Sequence, residues 1–436
     1  MKSWKIKAIG LIVSSAFFLL AFSLSHTEHR RKKIPFVPKG CVFRTVMGEE
    51  SSKDFSQYKT PEKVLASLDK GLSWIAKAQS ENGGWGAGSH YHQEVMDPHS
   101  VATDPATTAM VAMAILRSGS TLTNGTYSAH LKKALNFLLQ AVESSESNGS
   151  NITTLTGTQI QTKLGANIDV ILTSQFLSNM LEQMHDDVAL KARIKRAQEI
   201  CVSKIQGAQD SNGSIAGSGW AGVLQSSFAT NALEAAEAQG VQVDKQALEK
   251  AREFQKGNYD AKTGDVNTDM GAGIVLYSVT GSARASAKEA RKVEEEIKKA
   301  KDDGRLAQSA PASAESLIEI GYDKDDALKY ATAYEVYNSA KVQAQRDDVM
   351  DGFGNNGGEE FLSYLQTGES MIINKDNAWQ AWYDNISGRI LKIQNNDGSW
   401  NGHHCITSPV FCTATSILIL AVNNDVENLI KLGAGK

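Results

Sequence analysis

Two kinds of hydrophobic pattern alternate along residues 65–422. Runs such as LKKALNFLLQAV (131–142) place apolar residues three or four positions apart with charges between them, which predicts amphipathic helices. The segments between such runs are rich in Ala, Thr, Ser and Leu and carry few charges, which predicts buried, closely packed helices. Segments of this second kind are 104–116, 169–181, 227–238, 270–279, 360–373 and 411–422. The alternation predicts six helical hairpins, each with a polar outer helix and a small-residue inner helix.

A glycine turn ends the first helix of the most complete unit, KGLSWIAKAQSENGGW (70–85). Glycine and asparagine tolerate the left-handed conformation that ends a helix, and a glutamine amide can bond the backbone groups left open there. Tryptophan adds a large apolar face with one N–H to place. We therefore expect a structural joint between neighbouring hairpins, repeated along the chain. The predicted joint residues are Gln79, Trp85, Gln209, Trp220, Gln394 and Trp400.

Single hairpins of this kind cannot bury their apolar faces alone, so the units must pack on one another. Six units can form an open array or a closed ring. The last unit is apolar at 417–420 and lacks the polar face of a terminal cap. This favours closure against the first unit.

These repeats resemble the QW repeats of the terpenoid cyclases and protein prenyltransferases, and residues 70–85 match that consensus almost position for position. The resemblance covers about 65–422. It implies an all-α fold, an α/α-toroid of about six helical hairpins with an inner and an outer ring of helices. It is specific for architecture and says little about a reaction.

The catalytic signatures of these enzymes are not supported by the sequence. Squalene and hopene cyclases use an acidic DxDD motif, and DKDD at 323–326 has the same letters. It directly precedes a predicted outer helix, however, where acidic residues cap the N-terminus and favour the helix dipole. The Asp-x-Cys pair of the zinc-dependent prenyltransferases is missing, and the inner segments carry few of the aromatic residues that stabilise carbocations in cyclases.

Histidines are concentrated after the first and the last glycine turns. If the ring closes, these two loops meet at one rim of a central cavity, where imidazole, carboxylate and thiol groups could bind zinc with an open position for water, or act as general acid and base. The predicted ligand-binding residues are His90, His92, His99, His403 and His404. The zinc alternative uses His90, His92, Asp97, His403 and Cys405, and the catalytic candidates are Asp97, Asp104 and His99. Exposed loop histidines with no common partner are the other interpretation.

The N-terminus predicts export. Lys2, Lys5 and Lys7 precede the apolar run 8–24, so residues 1–33 are predicted to be a signal peptide or an N-terminal membrane anchor. Residues 34–64 would then be a linker and 423–436 a C-terminal tail, and the charged stretch 282–313 is predicted to be an insertion outside the ring. A periplasmic or extracellular location would allow disulfides among Cys41, Cys201, Cys405 and Cys412.

The net charge and the composition limit the classes of partner that the protein is expected to bind. A net charge of −4 argues against a nucleic-acid-binding surface. We expect a binding or scaffold protein whose central cavity takes a small apolar or peptide ligand. The first alternative is a squalene–hopene cyclase-like or prenyltransferase-like enzyme, which export disfavours because prenyl diphosphates are used inside cells. The second is a secreted glycan-active protein similar to toroidal polysaccharide lyases, with rim carboxylates among Asp97, Asp104, Asp265 and Asp269.

Overall fold

The computed structural model describes residues 58–184, 187–354 and 357–425. Within these ranges the chain is all-helical, with 15 α-helices and no β-strand. The helices are α1 (Glu62–Lys77), α2 (Pro105–Arg117), α3 (Ser128–Glu143), α4 (Gln159–Leu164), α5 (Ile168–Gln183), α6 (Val188–Gly207), α7 (Gly222–Ala238), α8 (Lys245–Lys256), α9 (Val275–Asp302), α10 (Ala314–Glu319), α11 (Lys324–Ala344), α12 (Asp347–Met350), α13 (Gly358–Asn374), α14 (Trp379–Lys392) and α15 (Pro409–Leu420).

Several sequence predictions fall outside these ranges. The signal peptide or anchor (1–33), most of the linker, Cys41 and residues 426–436 lie outside the described residues. Among the helices that the structure does describe, none has the length and apolar character needed to cross a membrane. Cys201, Cys405 and Cys412 are free thiols.

Six helices are mostly buried and carry the small-residue segments of the sequence: α2, α5, α7, α9, α13 and α15. All 17 residues of α13 and all 12 residues of α15 are buried. Each helix in this series contacts the next one, and α15 contacts α2. The series of contacts therefore returns to its starting helix.

Six further helices, which we call the outer helices, pack on this series. Helix α1 contacts α15, α3 contacts α2, α6 contacts α5, α8 contacts α7, α11 contacts α9, and α14 contacts α13. Helix α1 illustrates the pattern, because Val64, Leu68, Leu72 and Ile75 lie on one face of the helix and are buried.

The starts of the buried helices lie at one end of the molecule. Hydrogen bonds between these starts join Ala106 to Asp169 (3.1 Å), Asn167 to Gln225 (2.9 Å), Tyr277 to Glu360 (2.7 Å) and Gly358 to Ile406 (3.2 Å). We call this end the N-terminal face. The loops that lead into the buried helices lie at this face, together with their side chains.

Buried charges join the same helices away from the N-terminal face. Arg117 at the end of α2 lies 2.7 Å from Glu369 of α13, and Arg284 of α9 lies 3.2 Å from Glu234 of α7. Arg252 of α8 also contacts Glu234, at 2.8 Å. Burial raises the pKa of Glu234, but Arg252 and Arg284 outweigh it and hold that pKa below its usual value. The helices are thus tied together by ion pairs away from the N-terminal face.

The two ends of the helical region meet on that opposite side. Asn423, just after α15, donates from Nδ2 to the Thr60 hydroxyl, just before α1, at 3.0 Å. Asn424 donates to the carbonyl of Arg117 at 3.1 Å, which places this contact beside the end of α2. The chain therefore enters and leaves the helical region at neighbouring points.

The joint geometry is repeated three times. In each copy a glutamine Nε2 donates to the carbonyl of the glycine four residues later and to a carbonyl in the next outer helix. The acceptors are Gly83 and His130 for Gln79, Gly213 and Ala247 for Gln209, and Gly398 and Ser67 for Gln394. The third copy connects α14 to α1, between residues 327 positions apart. The last and first outer helices are thus linked by the same bonds that link consecutive ones.

Glycine is required in these turns for two reasons. Gly83, Gly213 and Gly398 have φ angles of 89°, 93° and 98°, in the left-handed region. A Cβ atom on Gly398 would also lie 2.7 Å from the carbonyl oxygen of Lys70 in α1. The turn can therefore approach the neighbouring helix only without a side chain.

Two tryptophans occupy equivalent buried positions in these joints. Trp85 Nε1 donates to the Ile75 carbonyl, and Trp400 Nε1 donates to the Ile390 carbonyl, each at 2.8 Å. The joint role predicted for Trp220 is wrong, because its side chain is 62% exposed. Ile215 takes the equivalent place: it is buried, and its backbone N–H donates to the Ser226 hydroxyl at 3.0 Å. The smaller aliphatic residue directly after the glycine turn was not recognised in the sequence.

The predicted external insertion at 282–313 also needs correction. Residues 282–302 continue α9, and residues 282–287 are buried inside the protein. Further along, Val293, Ile297 and Ala300 pack with residues of α10 and α11 in a small second core. Arg284 and Arg291 of this stretch are themselves buried, and most of its other charges are exposed or half-buried, so charge density alone was misleading.

The DKDD stretch caps a helix, as predicted. The Asp323 carboxylate accepts hydrogen bonds from the backbone N–H groups of Asp325 and Asp326, both at 3.0 Å, at the start of α11. Asp323 is exposed, and these bonds lower its pKa. The motif stabilises the N-terminus of an outer helix.

Candidate functional site

The predicted residues of the first loop make separate local contacts. Asp97 accepts from the His99 backbone at 3.0 Å and from the Ser100 hydroxyl at 2.7 Å, and His99 Nε2 lies 3.0 Å from the Lys77 carbonyl. His92 pairs with Glu94 at 3.2 Å, and both side chains are at least 70% exposed. These contacts stabilise local turns on the surface.

His90 and the remaining rim carboxylates have local partners or lie in solvent. His90 Nδ1 lies 3.0 Å from Gln93 Nε2. Asp265 and Asp269 are exposed in the loop before α9. Within the part of the chain that the structure describes, no group of three or more His, Cys, Asp and Glu residues has an arrangement suited to a metal ion.

Asp104 is a buried cap rather than an open carboxylate. Its oxygens accept hydrogen bonds from Ala87 N (2.9 Å), Thr107 N (2.7 Å) and the Thr107 hydroxyl (2.9 Å), which fixes the start of α2. Burial and the neighbouring Asp169 raise the pKa of Asp104 to about 7. Because these donors surround the carboxyl group inside the protein, it is not open to a ligand.

The loops of the first and last units meet at Thr407, beside Gln159. Gln159, at the start of α4, accepts from the backbone N–H groups of Thr407 (2.8 Å) and Ser408 (3.1 Å). The Thr407 hydroxyl donates to the Gln93 carbonyl at 2.8 Å. The segments that contain the predicted histidines are therefore neighbours on the N-terminal face.

Two adjacent glutamates begin α13 at this face. Glu359 and Glu360 are 2% and 0% exposed. Glu360 Oε1 accepts from the Tyr277 hydroxyl at 2.7 Å and from Phe353 N at 2.8 Å. These bonds fix the Glu360 carboxyl group at the start of a helix, where the dipole favours negative charge.

Each glutamate keeps one buried oxygen without a hydrogen-bond partner among the described residues, Oε2 in both cases. A Cβ atom on Gly357 would lie 2.6 Å from Glu360 Oε2 and 3.2 Å from Glu359 Oε2. Both free oxygens therefore approach the same glycine, and a side chain at this position would clash with them.

The protonation of Glu359 differs from that of an ordinary glutamate. Burial, and secondly the charge of Glu360, raise the pKa of Glu359 to about 8. Glu359 is therefore mostly a neutral acid at pH 7, next to a second carboxyl group. Such a pair can donate a proton and stabilise positive charge at one place.

His404 lies beside this pair. A Cβ atom on Gly354 would be 2.6 Å from His404 Nε2, and the Phe353 ring meets the His404 ring edge to face at a centroid distance of 4.9 Å. Burial and the neighbouring His403 lower the pKa of His404. Neither ring nitrogen of His404 has a hydrogen-bond partner among the described residues. The imidazole is therefore neutral at pH 7 and able to accept a proton.

Cys405 follows in a strained conformation. Its φ is 62°, in the region that favours glycine. Burial and the neighbouring Glu359 raise the pKa of the Cys405 thiol to about 11. The sulfur is therefore protonated near neutral pH, which makes it a poor metal ligand in this state.

Lys163 and Trp220 complete the cluster. Lys163 is 5% exposed, and its ammonium group lies 4.2 Å from the centroid of the exposed Trp220 ring. Its charge lowers the pKa values of Glu359 and Cys405, which places it close to both. We call Lys163, Trp220, Tyr277, Glu359, Glu360 and His404 the rim site.

Most of the rim site was missed by sequence reasoning. The sequence GGEEFLSYL (357–365) contained a signal, because two glutamates open an otherwise apolar inner segment. A DDxxD pattern also occurs at 347–351 and was not recognised. Its first two aspartates form exposed ion pairs, Asp347 with Arg389 and Asp348 with Arg346, on the surface.

A separate cavity of about 250 Å³ lies between the first loop and the segment before α4. Its lining includes Val95, Val101, Ala102 and Leu155, with His92 at its edge. This cavity is more apolar than the rim site.

No protein-family model matches the chain, and no curated protein matches it.

Proposed function

We propose that the chain forms an α/α-toroid similar to those of the terpenoid cyclases and prenyltransferases. The series of six buried helices that returns from α15 to α2 supports an inner ring. The Gln394 joint supports closure, because it links α14 to α1 with the same bonds as Gln79 and Gln209. The outer ring would consist of α1, α3, α6, α8, α11 and α14.

Within this toroid, we propose an acid–base enzyme that acts on a carbohydrate at the rim site. The observation that carries the proposal is the Glu359–Glu360 pair, in which a carboxyl group with a pKa of about 8 lies beside a second one. Exposed aromatic rings of Tyr91, Trp220 and Phe353 lie in the loops of the N-terminal face. Aromatic faces with nearby polar groups suit ring-shaped polar ligands.

The chemistry assigned to the site is hydrolysis of a glycosidic bond. Glu359 donates its proton to the leaving oxygen as the bond to the sugar carbon breaks. The carboxylate of Glu360, fixed by Tyr277 and Phe353, stabilises the positive charge that develops on the sugar ring. Water then adds to that carbon, and neutral His404 accepts its proton. The site thus supplies one acid, one base and one stabilising charge.

Sugar release by purified protein tests this proposal. A panel of neutral and acidic oligosaccharides is incubated with the protein, and new reducing ends are measured. We expect cleavage of at least one class, and a loss of about 10²-fold or more in kcat for Glu359→Gln. Glu315→Gln, an exposed position on α10, is the matched control. Absence of cleavage across the whole panel, or full activity of Glu359→Gln, contradicts the proposal.

The second candidate function is binding of a small apolar or peptide ligand. The 250 Å³ cavity favours it, because Val95, Val101 and Leu155 offer an apolar lining. Thermal shifts with a set of apolar compounds test this function, and Val101→Asp should abolish any shift. A shift that survives Val101→Asp would place the ligand elsewhere.

We further propose that the protein is exported, on the basis of residues 1–33. Cleavage of these residues would release it, and retention would attach it to a membrane. Mass determination of the N-terminus from a membrane fraction and a soluble fraction distinguishes these outcomes.

A further inference from the structure

Lys163 is a buried cation that has no carboxylate within 4.0 Å among the described residues. Its side chain is 5% exposed, and its ammonium group lies 4.2 Å from the centroid of the Trp220 ring. The buried arginines that tie the helices together have acidic partners, as Arg284 has Glu234. Lys163 is therefore a largely buried lysine without an acidic partner, and an anionic ligand can supply one.

Contacts with neighbouring segments fix the position of Lys163. Helix α4 begins with a capping box in which Thr158 and Gln161 bond each other's backbone. The loop before α7 is fixed to α4, since Ala221 N donates to the Lys163 carbonyl at 2.7 Å. A Cβ atom on Gly219 would lie 2.6 Å from the Lys163 carbonyl oxygen, so the two segments are in close contact. Lys163 and Trp220 are therefore held together by two neighbouring units.

We propose that the rim site recognises an acidic sugar, whose carboxylate or sulfate group pairs with Lys163 while the sugar ring lies on Trp220. This inference rests on the proposed function and names its substrate class. The exposed face of Trp220 provides the apolar surface that a sugar ring requires.

Binding measurements with matched sugars test the inference. Titration calorimetry uses the intact protein carrying Glu359→Gln, which prevents turnover, with trigalacturonate, a sulfated galactose trimer and the neutral galactose trimer. We expect the acidic trimers to bind about tenfold or more tightly than the neutral one. Whichever acidic trimer binds identifies the anionic group as carboxylate or sulfate.

Variants assign the selectivity to Lys163. Lys163→Gln should remove the preference for acidic trimers, and Lys163→Arg should keep most of it. Lys329→Gln, on the outer helix α11, is the matched lysine control and should bind as the parent does. Unchanged selectivity in Lys163→Gln, or equal affinity for neutral and acidic trimers, overturns the inference.

The failure of this inference is distinguishable from failure of the proposed function. Cleavage of neutral oligosaccharides by the wild-type protein, without selectivity for acidic ones, overturns the acidic-sugar inference and leaves the acid–base function standing. If no oligosaccharide is bound or cleaved, both proposals are wrong.

Discussion

Ser67 and Gln394 form a reciprocal pair of hydrogen bonds. The Ser67 hydroxyl donates to Gln394 Oε1 at 2.8 Å, and Gln394 Nε2 donates to the Ser67 carbonyl at 3.0 Å. Ser67 lies in the first described helix and Gln394 follows the last outer helix. One side chain therefore connects the beginning and the end of the helical region.

Removal of this side chain should destabilise the protein. Gln394→Ala leaves the carbonyls of Ser67 and Gly398 without their donor, so we expect the free energy of unfolding to fall by about 1–3 kcal/mol. Urea unfolding followed by circular dichroism measures the change. Gln345→Ala is the control, because the Gln345 amide donates only to Lys341 within its own helix, at 2.9 Å. Equal losses for both variants would mean that the joint has no special role.

Two glycine substitutions separate backbone strain from close approach. Gly304 has a φ of 72°, and a Cβ atom added there would meet nothing within 4 Å, so Gly304→Ala should cost about 1–2 kcal/mol from the left-handed conformation alone. Gly398→Ala carries the same strain and also places a Cβ atom 2.7 Å from the Lys70 carbonyl oxygen. We expect Gly398→Ala to lower the free energy of unfolding clearly more than Gly304→Ala does. Similar unfolding free energies for the two variants would contradict the observed packing of the turn against α1.

Truncation of Trp400 and of Trp220 should change the free energy of unfolding by very different amounts. Trp400 is fully buried, so Trp400→Ala should lower the free energy of unfolding by about 3–5 kcal/mol. Trp220 is 62% exposed, so Trp220→Ala should change it by no more than about 0.5 kcal/mol. Thermal and urea unfolding check both values. A large loss in Trp220→Ala would restore the joint role that the structure removes.

Stability should depend on the protonation of Glu359. The pKa of this group is raised from 4.5 to about 8 in the folded chain. Between these values the folded state binds more protons than the unfolded state, so the free energy of unfolding falls as the pH rises. The stabilisation is complete below 4.5 and is lost as the pH approaches 8. Glu359→Gln should reduce the slope of the free energy of unfolding against pH by up to about 1.4 kcal/mol per pH unit.

The comparison between variants isolates this contribution. Asp104, with its pKa raised to about 7, adds the same sign of dependence to the wild type and to the variant. The lowered pKa of His404 acts in the opposite direction, because its folded state binds fewer protons below the ordinary histidine pKa. Urea unfolding at several pH values for the wild type, Glu359→Gln and Glu315→Gln provides the slopes. Parallel curves for all three proteins would show that Glu359 is not protonated in the folded state.

The helical architecture was largely readable from the sequence because it depends on local patterns. The alternation of amphipathic and small-residue segments predicted an all-α chain, and the acidic run at 323–326 predicted a helix cap. Errors arose where one local pattern has two structural outcomes. Trp220 follows a glycine turn as Trp85 does, but Ile215 fills the buried position first. The charged stretch after 282 looked external, although one side of its helix, with Arg284 and Arg291, is packed.

The rim site was much less predictable because its members are far apart in the sequence. Lys163, Trp220, Tyr277 and Glu360 lie on four different units and come together only through helix packing. Histidine-rich loops drew the prediction towards 90–99, where the side chains make local surface contacts. A better signal would have been charge in a segment that should be buried, since an ionisable group there is costly unless it has a use.

The contact between Thr60 and Asn423 also shows which side of the protein carries both ends of the helical region. Both residues lie on the side opposite the starts of the buried helices. The described helical region therefore begins and ends on the side that faces away from Glu359 and Trp220, and neither of its ends lies beside the rim site.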